Sequence, residues 1–143
     1  LKARLALEIA RSRRYRHPLS ILMLEVSDFA EFTRTHDRSR ARQIIHDVAK
    51  LLNETLRTTD IVGYNGDARF TIVLSDTQRL QALRASERIA DNLARFNAEQ
   101  GTNLMTSTGI SEYHGEVQES LLLVTEARLD QARKQGPNQI VSD

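Results

Sequence analysis

The string Arg57-Thr58-Thr59-Asp60 holds two side chains whose chemistry matches a guanine nucleotide. A carboxylate can accept from guanine N1–H and N2–H together, and a guanidinium can fork onto O6 and N7 or onto a phosphate. The same pair has a plainer reading, a surface ion pair at a helix end, which contributes little. Spacing alone does not separate the two. Other candidates are weaker. Arg11, Arg13, Arg14, Arg16 and His17 form a basic cluster with Tyr15 available for stacking, but in a chain of net charge +1 one short cluster reads as a solvated helix end rather than a nucleic-acid contact. The histidines at 17, 36, 46 and 114 lack close metal-ligand spacing, so no zinc site is expected. Arg133 and Lys134 close the last helical pattern, where a basic end also complements the macrodipole. No nucleophile elbow, glycine-rich phosphate loop or Ser-His-Asp order is present.

Composition bounds what can position these groups. The 143 residues suit one domain spanning 1–143, with 40% hydrophobic and 27% charged residues and no cysteine. Disulfides and thiolate zinc sites are therefore impossible, and a cytoplasmic, reducing location is expected. The longest apolar run, Leu19 to Leu24 broken by Ser20, is far short of the roughly 20 residues a membrane span needs. Leu1 already sits in a helical pattern, so the chain reads as a piece of a larger multidomain protein.

The periodicities give the elements. Leu1, Leu5, Glu8, Ile9 and Ser12 predict a first helix ending in the arginine cluster before Pro18. Leu19 to Val26, followed by Ser27-Asp28, predicts a buried central strand. Ala41, Ile44, Ile45, Val48, Leu51, Leu52 and Leu56 predict a long amphipathic helix from about Ser39 to Arg57, with Arg57 in its last turn and Asp60 just past it, both projecting outward. Two β-prone runs, Ile61 to Tyr64 and Phe70 to Leu74, flank Asn65-Gly66-Asp67 as a hairpin. Beyond the Ser75-Asp76-Thr77 caps, a helix over Leu80 to Phe96 runs out before Gly101. A strand at Leu104 to Tyr113, a helix at Leu121 to Arg133 and an edge strand at Gln139 to Val141 complete the order. A hairpin inside helix and strand alternation predicts an α+β fold with a mixed, largely antiparallel central sheet flanked by helices.

That order, with several local strings, resembles the GGDEF domain of bacterial diguanylate cyclases over essentially the whole chain. The strings are His17-Pro-Leu-Ser-Ile-Leu-Met-Leu-Glu-Val, Thr59-Asp-Ile-Val-Gly-Tyr, Phe70-Thr-Ile-Val-Leu-Ser-Asp-Thr, Ala85-Ser-Glu-Arg-Ile, Ser107-Thr-Gly-Ile and Ala132-Arg-Lys-Gln-Gly-Pro-Asn. The resemblance implies a palm-like nucleotidyl-cyclase fold. It aligns the family's signature with Gly66, Asp67, Ala68, Arg69 and Phe70, so both acidic positions are replaced. In an active cyclase these carboxylates, with an acidic pair near the first strand, hold the metal that activates a GTP 3′-hydroxyl. Here the first-strand positions are Glu25 and Ser27, and Arg69 puts a cation where the metal would sit. The guanine-reading positions fall at Thr33 and Arg42, and the stretch from Asp37 to Arg42 fills a glycine-rich phosphate turn with side chains. The resemblance thus predicts that the chain is not an enzyme, with no catalytic residue and no magnesium at the former active site.

The same registration places Arg57 and Asp60 at the family's RxxD inhibitory site for cyclic di-GMP, five residues before the signature, and Arg88 where the family supplies a second arginine. The expected function is a cyclic di-GMP receptor acting through Arg57, Asp60 and Arg88. The ligand would bridge to a second copy or a neighbouring domain, with no nucleic-acid or membrane partner. A ligand-free signalling or dimerisation domain is the alternative.

Overall fold

The apolar run from Leu19 forms the central strand, β1 (Leu19–Ser27), buried along most of its length. The computed structural model describes residues 1–27, 33–35 and 37–143, so Asp28 and His36 lie outside the described residues. Before β1 comes α1 (Lys2–Tyr15), and after it α2 (Arg38–Thr55), β2 (Ile61–Gly66), β3 (Arg69–Ser75), α3 (Arg79–Gln100), β4 (Met105–Glu112), α4 (Gln118–Gln135) and β5 (Ile140–Val141). The sheet order is β2-β3-β1-β4-β5. β1 pairs antiparallel with β3 and β4, β2 with β3, and only the short β5 runs parallel, to β4. This is the α+β architecture that the sequence predicts. Among the described residues no helix is long and apolar enough to cross a membrane.

Side-chain alternation divides the core into two layers. Leu22, Leu24 and Val26 of β1 join Phe70, Ile72 and Leu74 of β3 beneath Ile44, Val48 and Leu52 of α2 and Ala82, Ala85 and Ile89 of α3. Leu19 and Ile21, from the alternate positions, join Val73 beneath Leu5 and Ile9 of α1 and Leu121 of α4. Glu25, Ser27 and Arg69 share that second face by parity. Glu25 and Arg69 are direct cross-strand partners. On the same face α4 lies so close to β4 that a Cβ built on Gly109 would stand 2.5 Å from Leu129 N and 2.5 Å from Thr125 O.

Local chemistry moves several boundaries. Asp37 caps α2 by accepting from Arg40 N–H at 2.7 Å, so the stretch from Asp37 to Arg42 is a helix start rather than an open turn. The helix stops at Thr55, two residues before Arg57, because Leu56 turns extended at ψ 169°. The hairpin strands reach further inward than their apolar runs. Asp67 and Ala68, at φ 52° and 60°, make the tight connection, a geometry matched to strand twist. Gln78, not the Ser75-Asp76-Thr77 string, caps α3 through a reciprocal box with Gln81.

Candidate functional site

Arg57 and Asp60 close a small turn of their own. Arg57 N–H donates to Asp60 Oδ2 at 2.9 Å, and Asp60 N–H donates back to Arg57 O at 3.0 Å. The side chains repeat the pairing: Arg57 Nε donates to Asp60 Oδ2 at 3.3 Å and Nη2 to Oδ1 at 3.1 Å. Nη2 also donates to Ser75 O at 2.5 Å and to Thr77 Oγ1 at 2.7 Å, tying this turn to the end of β3. The expectation that both side chains project outward is corrected here. The Arg57 side chain is 54% exposed, but that of Asp60 is 3% exposed, because its oxygens face Arg57's own backbone and fork.

Arg57 and Asp60 open onto a groove of about 250 Å³ shared with Thr77, Gln81, Arg84 and Arg88. The structure therefore brings together the three residues singled out in the sequence. Gln81, Arg84 and Arg88 stand on one face of α3 at spacings of three and four. Arg84 is a residue the sequence reading missed, although its place one helical turn before Arg88 is the signal that finds it. Among the described residues neither Arg84 nor Arg88 has an ion-pair partner, so the groove carries three guanidiniums against one carboxylate.

The signature residues lie elsewhere, at the hairpin: Arg69 faces α4, whereas Ala68 and Phe70 join the core beneath α2 and α3. Gly66, at φ 87°, Asp67 and Ala68 all take the left-handed region. Ala68 is 2% exposed; its N–H donates to the Tyr64 hydroxyl at 3.1 Å, and its carbonyl accepts from Val26 N–H at 2.9 Å. Phe70 is buried and packs against Tyr64 with centroids 5.0 Å apart. Tyr64→Phe removes the acceptor of a buried N–H and is expected to cost about 1–2 kcal/mol in urea unfolding.

Beside the hairpin, Arg69 Nε lies 3.0 Å from Glu25 Oε2, with Glu126 and Asp130 each at 3.8 Å from its other nitrogens. Arg133 Nε reaches the same Glu25 oxygen at 3.1 Å, and its Nη1 reaches Asp130 Oδ1 at 3.3 Å. Glu25, Asp130 and Arg133 border a cavity of about 710 Å³ that also includes Ser27, Ser107 and Lys134. Arg133 is thus an ion-pair partner of β1 rather than a free helix-end cation. Glu25 already meets two guanidiniums, and the described residues contain no group of three His, Asp or Glu side chains that could hold a metal. Thr33 and Arg42 are both exposed, Arg42 on the first turns of α2.

The family model for the diguanylate cyclase GGDEF domain matches residues 1–139. The chain belongs to the GGDEF domain family. Diguanylate cyclase DosC of Escherichia coli is 28% identical over 138 residues, which is 93% of this chain and 30% of DosC, so the chain spans under a third of that relative. Among solved structures, diguanylate cyclase SiaD of Pseudomonas aeruginosa, in complex with its activator SiaC, superposes with TM-score 0.90 at 25% identity, covering 99% of this chain and 56% of SiaD. The GGDEF domain of DgcB from Caulobacter crescentus, in complex with c-di-GMP, has the same fold at TM-score 0.83 and 16% identity, over 94% of this chain and 83% of that one.

These comparisons correct one expectation. The sequence reading held that this GGDEF domain is not an enzyme, on the strength of Ala68, Arg69 and Ser27. Its family is described as diguanylate cyclase, and DosC and SiaD carry that name. A neighbour from Vibrio cholerae, TM-score 0.85 at 23% identity over 95% of this chain and 89% of that one, is the active GGEEF domain of a diguanylate cyclase. Nothing in this kinship speaks for a non-enzyme. The reading failed by treating replaced side chains as if they decided activity.

Proposed function

We propose that this GGDEF domain binds cyclic di-GMP in the groove formed by Arg57, Asp60, Arg84 and Arg88. The observation that carries the reading is the convergence of three guanidiniums, two of them without ion-pair partners among the described residues, on one groove at the family's RxxD position. Cyclic di-GMP offers two phosphates and two guanine edges, and an arginine fork matches either group. In this reading Asp60 holds Arg57 in the unliganded state. A guanine edge that takes over the Arg57 fork frees the Asp60 oxygens to accept N1–H and N2–H. The nucleotide seen with the similarly folded DgcB domain supplies the ligand class. The surplus of positive charge also favours two intercalated ligand molecules, whose outer face is open to a second copy or a neighbouring domain. The reading calls on no divalent cation at Glu25.

Isothermal titration of cyclic di-GMP into the domain tests it. Saturable heat is expected, with binding weakened about tenfold in Arg88→Ala. A flat titration of the unmodified domain overturns the reading, and equal heats in the variant remove Arg88 from the site.

A further inference from the structure

The residues Ser75, Asp76 and Thr77, which join β3 to α3, are gripped from two sides. On the groove side, Arg57 Nη2 donates to Ser75 O and Thr77 Oγ1, while the Thr77 hydroxyl donates to Ser75 O at 2.7 Å. On the other side, Thr77 N–H donates to Pro18 O at 3.2 Å and Ser20 Oγ donates to Thr77 O at 2.8 Å. Between them Asp76 points away from the groove, with His17 Nδ1 2.6 Å from its Oδ1 and Arg11 Nη2 3.3 Å from its Oδ2. Arg11 belongs to α1. His17 follows α1, and its carbonyl accepts from Ser12 Oγ in α1's last turn.

Asp76 sits at φ 50°, a left-handed conformation that aspartate and asparagine adopt more readily than other non-glycine residues. From that position its carboxylate meets His17 and Arg11, which tie the connector to α1. Were that grip lost, the connector would relax, and two of the three acceptors that orient Arg57 Nη2 would move with it.

We propose that Arg11, His17 and Asp76 form a clasp that positions Arg57 for its anionic ligand, so that the groove and α1 are energetically coupled. The inference rests on the reading of the groove as a cyclic di-GMP site. Asp76 and His17 are positioning residues, since neither lines the groove. Because coupling is reciprocal, ligand held by Arg57 also tightens α1 against the sheet.

The clasp is charged, and its neighbours set the sign of its pH response. Glu8 of α1 lies 3.5 Å from Arg11, the Tyr15 ring meets His17 edge-on at 6.0 Å, and Arg14 stands over Tyr15 at 5.3 Å. The His17 hydrogen bond, with help from Arg11, holds the Asp76 carboxyl below its ordinary value. A depressed carboxylate contributes while it is ionised, above the ordinary aspartate range, and that contribution is lost as pH falls through the folded value. Affinity should therefore decline as pH falls below about 4, where the Asp76 carboxylate takes up its proton.

Calorimetry with cyclic di-GMP on the unmodified domain, Asp76→Asn and His17→Gln tests the clasp. Asparagine tolerates the left-handed conformation, so Asp76→Asn removes charge while keeping the turn. About tenfold weaker binding is expected in each variant, with the decline at acid pH absent in Asp76→Asn. Circular dichroism shows whether each variant is folded, and either variant alone suffices. If both folded variants bind as tightly as the parent with the parent's pH profile, the clasp is overturned and the groove reading stands. If the parent itself takes up no ligand, both fall.

Discussion

Arg57→Ala should weaken cyclic di-GMP binding by about a hundredfold, or about 2.7 kcal/mol, the largest effect of any single change in the groove. The size follows from what the guanidinium does before ligand arrives. It supplies two charge-assisted bonds to Asp60 and two more to Ser75 O and Thr77 Oγ1. Truncation removes the ligand's fork and also leaves a carboxylate that is 3% exposed with, among the described residues, only the Arg57 backbone N–H as a hydrogen-bond partner. That second consequence predicts a stability loss of about 1–3 kcal/mol in urea unfolding, separable from the binding loss. Arg57→Lys keeps the charge but not the fork, and should fall between parent and alanine in calorimetry. Unchanged affinity in a folded Arg57→Ala protein would remove this residue from the site.

Gly109→Ala should be among the most damaging substitutions for stability, lowering it by about 3 kcal/mol in urea unfolding. The obstruction is backbone on backbone: Leu129 N and Thr125 O would each stand 2.5 Å from the new methyl carbon. Neither can step aside as a flexible side chain can, so α4 would have to lift from β4. Lifting it strains two anchors. Thr125 Oγ1 donates to Ser111 Oγ at 2.8 Å, and Arg128 Nη1 donates to Ser111 Oγ at 2.6 Å and to Ile110 O at 3.1 Å. A midpoint within a few tenths molar of the parent's would show that α4 is free to slide.

The elements were legible where burial sets the pattern. Leu19 to Val26, the α2 repeat from Ala41 to Leu52 and the hairpin around Asn65 and Gly66 all emerge from periods of two and of 3.6. The misplacements lie where a local hydrogen bond overrides the period. Leu56 fits the helical repeat, yet the Asp60 carboxylate captures the Arg57 N–H and the chain turns away at Leu56. The inward turn of Asp60 was illegible for the same reason, since a side chain bonding to backbone three residues away leaves no hydrophobic trace. Arg69 was expected near Glu25, but its further partners Glu126 and Asp130 come from α4, more than fifty residues away in sequence. Pairings across that distance are decided by the packing of α4 on β4, which no local window contains.

The alternation along β1 has a consequence for how the domain can change. Leu22, Leu24 and Val26 answer to α2 and α3, whereas Met23, Glu25 and Ser27 occupy the opposite parity, where Glu25 meets Arg69 and Arg133. Two sets of demands are interleaved on one strand without sharing a residue. A saturation scan along β1 should therefore alternate: near-uniform rejection of polar residues at 22, 24 and 26, and acceptance of polar residues at 25 and 27, except for a cation at 25 beside Arg69 and Arg133. A lineage carrying such a strand can rewrite its charged face step by step while its hydrophobic face stays fixed, so the two histories need not keep pace.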